Sequence, residues 1–364
     1  MKFISSKELN TYLDELENTY QLNLSISDLL FSIMGNRDIT SKEEIDALKK
    51  SSGYSDKDLL LSRVIDYLDI DLSIEDNQDI FDNYIAKAIK EVDIIKYLSN
   101  PYYHTIKINN VKDGDLQLVD DHYEAYELFP YLDMSSDTHY IENNSLGYFN
   151  KNFHFIALNH KGVTWMSITP NEIETMEASI NKVRGTVTVF GLGLGYFAFM
   201  ASNKKEVDKV IIIEKDKKNI NLFNKYLRPQ FPNANKIVIA EDDALNFLNK
   251  DLESDFAFID LWHDPTDGIE LFLKFKQAEL KQSKCHFLYW LESSFYLYLR
   301  RCFMSLIFES KEGYGDAHYK NSKNIDDRII NKYYFATKNL VISSKADLDK
   351  LLSDKSLLEL LLNH

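Results

Sequence analysis

Three glycines at alternating positions are the first feature of the sequence with a chemical use. Gly191, Gly193 and Gly195 directly follow a predicted buried strand and open a predicted helix. Glycine permits a tight turn and lets a ligand approach the backbone, and the free N–H groups at the start of a helix attract anionic or polar groups. We therefore predict a nucleotide-binding loop here, with Leu192 also among its contacts.

Acidic residues follow at the ends of the next two predicted strands. Glu214 lies about 20 residues beyond the loop, where a carboxylate can accept hydrogen bonds from both hydroxyls of an adenosine ribose. We predict this role for Glu214, with Lys215 beside it in the binding site. Asp242, Asp243 and Ala244 follow the third strand. Asp243 would accept from an adenine amine and Ala244 would leave room for the ring. Alternatively, one aspartate caps the next helix.

The end of the fourth predicted strand carries the densest group of polar side chains. Asp260, Trp262, His263 and Asp264 lie where open α/β sheets place their ligand crevice. A histidine beside carboxylates can accept a proton near neutral pH. We predict Asp260, His263 and Asp264 as catalytic residues, with Asp260 also contacting the cofactor's amino group or the substrate. The alternatives are a structural role for His263 and a core or pocket-wall role for Trp262.

The elements that position these residues alternate between strand and helix from about residue 185. The predicted strands are Thr186–Phe190, Lys209–Glu214, Lys236–Ala240, Phe256–Leu261 and Cys285–Leu291. The predicted helices are Gly195–Ser202, Lys217–Tyr226, Ala244–Lys250, Gly268–Gln277 and Phe295–Phe308. Near-continuous apolar strands indicate a parallel sheet covered on both faces. A late pair, Tyr333–Thr337 and Leu340–Ile342, is predicted to form an antiparallel edge, and residues 345–362 a final helix. The predicted class is α/β, Rossmann-like and doubly wound, with a mostly parallel sheet.

Two further regions precede this core. Residues 1–100 space their apolar residues as helices do, and we predict a helical domain with a structural or interaction role, which leaves a homo-oligomer open. Residues 101–170 are predicted as a β-rich connector, with strands at Tyr103–Ile108, Asp115–Val119, Phe153–Leu158 and Gly162–Ile168. The Rossmann-like domain would then occupy residues 171–364. Its first helix begins at Thr169-Pro-Asn-Glu172, where Thr169 and Glu172 have the spacing of a capping box.

Composition limits the classes of function. The chain has 364 residues and a formal net charge of −15, so nucleic acid is an improbable partner because phosphate binding requires lysine and arginine. Cys285 and Cys302 are not in a CxxC pair, and we expect neither a disulfide framework nor a metal site. Sparse cysteine and the lack of a signal peptide or long apolar run predict a cytoplasmic protein with no membrane partner.

The position of the third glycine distinguishes two nucleotide ligands. A dinucleotide-binding loop has a small residue three positions after its second glycine, and this chain has Tyr196 there. Val189–Gly195 instead resembles the first motif of class I S-adenosylmethionine-dependent methyltransferases. Ile211–Glu214, Glu241–Ala244 and Phe258–Leu261 are similar to that family's later motifs, in the same order. The resemblance implies S-adenosylmethionine as cofactor and methyl transfer to a small-molecule acceptor that the motifs do not identify.

Two departures keep alternatives open. The family usually has an acid at the position of Val189, which leaves the cofactor's amino group with one partner fewer. Asp260 with Asp264-Pro265 also resembles the corresponding segment of spermidine synthases, which transfer an aminopropyl group from decarboxylated S-adenosylmethionine. The Asp-Glu entry motif of those enzymes is absent, and Leu194 replaces their loop acid. Methyl transfer is the main prediction. Aminopropyl transfer and non-catalytic binding of S-adenosylmethionine are the alternatives.

Overall fold

The N-terminal part of the chain is mainly helical. The structure is a computed structural model that describes residues 1–109, 111–248, 252–313 and 323–363. Its first elements are β1 (Lys2–Phe3), α1 (Lys7–Ile33), α2 (Lys42–Ser52), α3 (Asp56–Leu68), α4 (Glu75–Ile80), α5 (Ala86–Ala88), β2 (Ile89–Glu91), α6 (Ile94–Leu98) and α7 (Pro101–Thr105). Ser6, Ser41 and Ser55 cap the N-termini of α1, α2 and α3, because their side chains accept hydrogen bonds from backbone N–H groups in the first turn. These caps satisfy donors that a helix leaves unpaired.

Short strands dominate the next region. They are β3 (Lys112–Asp113), β4 (Leu116–Tyr123), β5 (Phe129–Pro130), β6 (Ser135–Ser136), β7 (Glu142–Asn143), β8 (Leu146–Tyr148), β9 (Phe153–His160) and β10 (Val163–Ser167). Four of them form an antiparallel sheet in the order β10-β9-β4-β3. The predicted strand Tyr103–Ile108 is wrong, because Pro101–Thr105 is helical. Asp115–Val119 corresponds to β4, and Phe153–Leu158 and Gly162–Ile168 correspond to β9 and β10. Their hairpin contains a register shift between Thr164 and Met166, at Trp165.

A parallel five-stranded sheet forms the centre of the remaining chain. The elements are α8 (Pro170–Lys182), β11 (Gly185–Phe190), α9 (Tyr196–Ser202), β12 (Val207–Glu214), α10 (Lys217–Leu222), β13 (Ile237–Glu241), α11 (Ala244–Leu248), β14 (Phe256–Ile259), α12 (Pro265–Glu279), β15 (His286–Tyr289) and α13 (Glu292–Lys311). The strand order is β13-β12-β11-β14-β15 and every pairing is parallel. This is a Rossmann-like order. All five predicted strands and the helices between them are confirmed, except that the end of the predicted helix Ala244–Lys250 lies outside the described residues.

The predicted antiparallel edge is wrong. Tyr333–Thr337 belongs to α14 (Ile325–Thr337), whose buried residues recur on one helical face. The remaining elements are β16 (Val341–Ile342), α15 (Lys345–Leu351) and α16 (Asp354–Leu362). β16 pairs in parallel with β1, at the opposite end of the sequence, and does not join the central sheet. The predicted final helix is two helices, because Ser353 caps α16 at the break.

The N-terminal and C-terminal parts share a core. One apolar cluster runs from Leu9 and Leu13 of α1 through the central sheet to Leu357 and Leu361 of α16. A partly buried ion pair adds to this contact, because both carboxylate oxygens of Glu142 in β7 accept from the Arg301 guanidinium of α13. No helix among the described residues is long and apolar enough to cross a membrane.

The central strands leave a crevice where the strand order reverses, between β11 and β14. The Asp260 N–H donates to the Phe190 carbonyl at 3.0 Å, which holds the two strand ends together. Gly191 therefore lies against the Asp260 carbonyl, and a Cβ at Gly191 would overlap that oxygen. Its φ of +99° is also in the left-handed region. Both facts require glycine at this position.

We expect Gly191→Ala to destabilise the protein by about 3 kcal/mol or more, because strained backbone and a backbone overlap add together. Urea denaturation of both proteins measures the difference. Gly53→Ala is the matched control: Gly53 has a φ of +75° with no described atom within 4 Å of the added Cβ. It should cost about 1 kcal/mol. Equal losses for the two variants would contradict the close approach.

Candidate functional site

A cavity of about 430 Å³ lies in the crevice above the glycine loop. This volume is within the range of small-molecule sites. Side chains from β10, α8, the glycine loop and the ends of β12, β14 and β15 line it: Thr164, Trp165, Met166, Ser167, Ile168, Glu172, Met176, Val189, Gly191, Leu192, Gly193, Leu194, Tyr196, Phe197, Ala198, Glu214, Lys215, Asp260, Leu261, Trp262, His263 and Trp290. The antiparallel hairpin and α8 thus provide one wall, and the central sheet provides the other.

The loop backbone is open to a ligand. Gly193 has a φ of +50°, and the atom nearest to a Cβ there would be the Met166 sulfur at 3.9 Å. Gly195 also has a positive φ, +78°, and a Cβ there would meet the Phe223 ring at 2.5 Å. Gly195 is therefore required by packing, whereas Gly193 leaves the backbone accessible from the cavity. The loop thus forms a cradle with room for a ligand against its backbone.

Glu214 fixes the loop to the end of β12. Its carboxylate accepts hydrogen bonds from the Leu192 N–H at 3.1 Å and the Asp216 N–H at 2.7 Å. Each carboxylate oxygen has a second lone pair, so Glu214 can still accept from a ribose hydroxyl. Lys215 is exposed at the rim of the cavity. The structure thus brings Glu214 and Lys215 to the loop, and the ribose role of Glu214 stays a prediction.

The predicted adenine contacts lie outside the cavity lining. Asp243 accepts from the Leu245 N–H at 2.9 Å, and Asp242 accepts from the Asp243 N–H at 2.8 Å. Asp243 therefore caps α11, as the alternative interpretation of this segment holds. Ala244 is the first residue of that helix. The cavity does not extend to these three residues, and contact with adenine stays a prediction.

Two acidic side chains lie together in the cavity, and sequence reasoning identified one of them. Asp260 follows β14, and Glu172 is in the first turn of α8. Glu172 does not form the predicted capping box, because Thr169 makes no side-chain cap hydrogen bond. Both residues are partly buried and line the cavity. We call Glu172 and Asp260 the acid pair.

The acid pair has perturbed proton affinity. Burial raises the pKa of Asp260 to about 7, against a smaller lowering by His263. Burial also raises the pKa of Glu172 well above its ordinary value, and the nearby Asp260 carboxylate raises it further. Both carboxylates are costly to ionise without a cation beside them. The pair is therefore suited to binding a cationic group.

The other two predicted catalytic residues, His263 and Asp264, differ in their access to the cavity. His263 lies at the cavity rim, and its Nδ1 is 2.9 Å from the Asp267 carboxylate. If Nδ1 carries the proton, the outer ring nitrogen Nε2 is the proton acceptor. Asp264 lies outside the lining and caps α12 by accepting from the N–H groups of Thr266 and Asp267. The geometry favours a capping role for Asp264 over the predicted catalytic role.

Helix α7 and its capping residue Asn100 form hydrogen bonds to both walls of the cavity. The Tyr102 hydroxyl donates to the Leu194 carbonyl in the glycine loop at 2.7 Å, and the Asn100 amide donates to the Tyr196 hydroxyl at 3.0 Å. The Tyr103 hydroxyl donates to the Ile168 carbonyl on the opposite wall. No motif marks these residues, because a buried tyrosine is ordinary in a core. The N-terminal part of the chain is thus in contact with the site.

Comparisons with known proteins found no matching family profile and no matching curated protein. Similar solved structures include spermidine synthase from Thermotoga maritima, with 17% sequence identity and a TM-score of 0.29 over 41% of this chain and 58% of that chain. A spermidine synthase in complex with the transition-state analogue AdoDATO has 18% identity and a TM-score of 0.31 over 46% of this chain and 69% of that chain. The chain therefore spans less than two thirds of the length of the first enzyme. The assignment of a Rossmann-like fold rests on the strand order and register of the central sheet.

Proposed function

We propose that the chain transfers the aminopropyl group of decarboxylated S-adenosylmethionine to a small amine bound in the cavity. The observation that carries this proposal is the acid pair, Glu172 and Asp260, beside the glycine loop. The open backbone at Gly193 and the carboxylate of Glu214 support binding of the adenosyl end. The cationic centres of the donor and the amine would both benefit from ionised carboxylates.

The charges in the cavity favour the decarboxylated donor over intact S-adenosylmethionine. The acidic residues in the described lining are Glu172, Glu214 and Asp260, and the basic ones are Lys215 and His263. Lys215 follows the predicted ribose ligand and so lies at the adenosyl end. A methionine carboxylate beside the acid pair would meet like charge in a partly buried site. The decarboxylated donor lacks that carboxylate.

The residues of the chain would position the amine and receive its proton. A sulfonium donor provides a neutral thioether as leaving group. The amine nitrogen forms the new bond to the donor carbon, the carbon–sulfur bond breaks, and its electron pair stays on sulfur. The attacking nitrogen must be neutral, so an amine that binds as an ammonium first gives one proton to ionised Asp260 or to the ring of His263. The product nitrogen keeps its remaining protons and leaves as a secondary ammonium. A raised pKa makes Asp260 a stronger base than an ordinary carboxylate.

Methyl transfer from intact S-adenosylmethionine to the amine is the second candidate. The observation that favours it is His263, which lies beside Asp260 and can carry a positive charge when protonated. An imidazolium there would offset the methionine carboxylate. The adenosyl contacts are the same for both donors, so the two functions differ at the acid pair.

Titration calorimetry with the two donors tests the proposal. We expect the decarboxylated donor to bind at least about 10-fold more tightly, a difference of about 1.4 kcal/mol, because it avoids a like-charge contact. Glu214→Ala should weaken both donors equally, by roughly 10-fold or more, through loss of a charged hydrogen bond. Tighter binding of intact S-adenosylmethionine would favour methyl transfer. Absence of binding by both would overturn the site, and binding without turnover would indicate a non-catalytic protein.

The acid pair also predicts a pH dependence. Burial raises the pKa of Asp260 to about 7. Protonated Asp260 therefore stabilises the folded protein at low pH, and this stabilisation is lost as the pH rises through about 7. A cationic donor needs the ionised form. Its affinity should therefore increase from pH 6 to about pH 7 and level off above that, as measured by calorimetry across the range.

Variants separate the acid pair from general surface charge. Asp260→Asn should remove most of the rise in affinity with pH, and Glu172→Gln should weaken donor binding about 10-fold at pH 8. Glu177→Gln is the matched control, because Glu177 is an exposed residue of the same helix outside the cavity lining. It should change affinity less than about 2-fold. An unaltered pH profile in Asp260→Asn would contradict the assignment.

A further inference from the structure

The three tryptophans of the chain all line the cavity. The sequence has three in total, Trp165, Trp262 and Trp290, and they come from β10 and from the segments after β14 and β15. The chain thus brings them together from two walls. A large indole in each of these positions gives the cavity an extended apolar surface.

Two of these tryptophans offer a ligand apolar surface and no hydrogen-bond donor. The Trp262 Nε1–H donates to the Trp290 carbonyl at 3.1 Å, and the Trp290 Nε1–H donates to the Thr175 hydroxyl at 2.7 Å. Both N–H groups are thereby satisfied within the protein. The buried side chains of Ile168 and Met176 extend the same surface.

The ionisable groups of the cavity are confined to few places. Glu214 is bonded to two backbone N–H groups at the adenosyl end, which leaves the acid pair to serve both the donor ammonium and the acceptor amine. The described lining has no further carboxylate. A second ammonium on the acceptor would therefore lie against indole and aliphatic carbon. An indole face attracts an ammonium, but this attraction is smaller than the cost of burying a charge without a carboxylate.

We propose that the acceptor is a monoamine with an apolar body, whose nitrogen lies beside Glu172 and Asp260 and whose body packs against Trp165, Trp262 and Met176. This inference rests on the proposed function and specifies its acceptor. It separates the chain from an enzyme for diamines, which would require a carboxylate at each end of the acceptor site. An apolar group at the end of the acceptor away from its amine should bind more favourably in this cavity than a second ammonium would.

Matched amines test the acceptor class. Hexylamine and 1,6-diaminohexane have the same length and differ in the far ammonium, and 2-phenylethylamine adds a ring. With decarboxylated S-adenosylmethionine as donor, release of methylthioadenosine measures turnover by chromatography. We expect kcat/KM for hexylamine and 2-phenylethylamine to exceed that for 1,6-diaminohexane at least about 10-fold. Preference for the diamine would overturn the acceptor class and leave the transfer reaction standing.

Amine binding gives a second readout that does not depend on turnover. Because all tryptophans line the cavity, the tryptophan fluorescence of the protein–methylthioadenosine complex reports on its occupancy. Product from none of the amines, with the donor bound, would overturn the proposed function. Fluorescence titration would then still decide the acceptor class, since tighter binding of the monoamines supports it and equal or tighter binding of the diamine contradicts it.

A variant of the wall completes the test. Trp165→Ala should raise KM for 2-phenylethylamine roughly 10-fold through loss of apolar contact, with donor affinity changed less than about 2-fold. Val163→Ala is the matched control, because Val163 is 71% exposed on the same strand and does not line the cavity. Both KM values should stay at the wild-type level in that control. An unchanged KM in Trp165→Ala would contradict the proposed position of the acceptor body.

Discussion

The close approach of two strand ends is the constraint on which the rest of the site depends. The Asp260 N–H bonds to the Phe190 carbonyl, and this contact leaves no space for a side chain on Gly191. The chain after β11 must therefore turn away with a backbone that glycine adopts, and the turn exposes the loop to the crevice. The same contact places the Asp260 side chain in that crevice. One hydrogen bond thus fixes both the cradle and the first member of the acid pair.

The cavity combines an acidic end with an apolar wall. Burial in the protein removes hydration from Glu172 and Asp260, which opposes ionisation of both until a cation binds. The indole N–H groups of Trp262 and Trp290 form hydrogen bonds within the protein, so these two residues offer a polar ligand no hydrogen-bond donor. Specificity in such a site comes from the cost of placing a charge wrongly, and this cost is larger than the gain from any single apolar contact.

The sequence predicted the features that follow from local rules. A buried strand followed by alternating glycines defines the loop, and the strand and helix periods give the central sheet. Glu172 was missed because its distance from Thr169 fits a helix cap equally well, and the packing of α8 against the sheet decides where it points. Asp243 and Asp264 sit at predicted crevice positions but cap helices. The sequence pattern of a cap and of a ligand site is the same at a strand end.

Long-range pairing explains the wrong edge. Tyr333, Tyr334 and Phe335 have strand propensity as a short segment, but the buried residues Ile329, Ile330 and Tyr333 show a helical period once the window reaches Ile325. β16 is two residues long and pairs with the other end of the chain. No local pattern contains that partner.

The hydrogen bonds of α7 bear on the order in which the molecule folds. Tyr102 and Leu194 are 92 positions apart, and Asn100 and Tyr196 are 96. Closing loops of this length costs chain entropy before the contacts repay it, so such contacts form late. The glycine loop consequently cannot reach its final shape while the central sheet is alone. During synthesis the N-terminal helices emerge first, and the glycine loop then completes its folding against Tyr102, which is already part of the emerged chain.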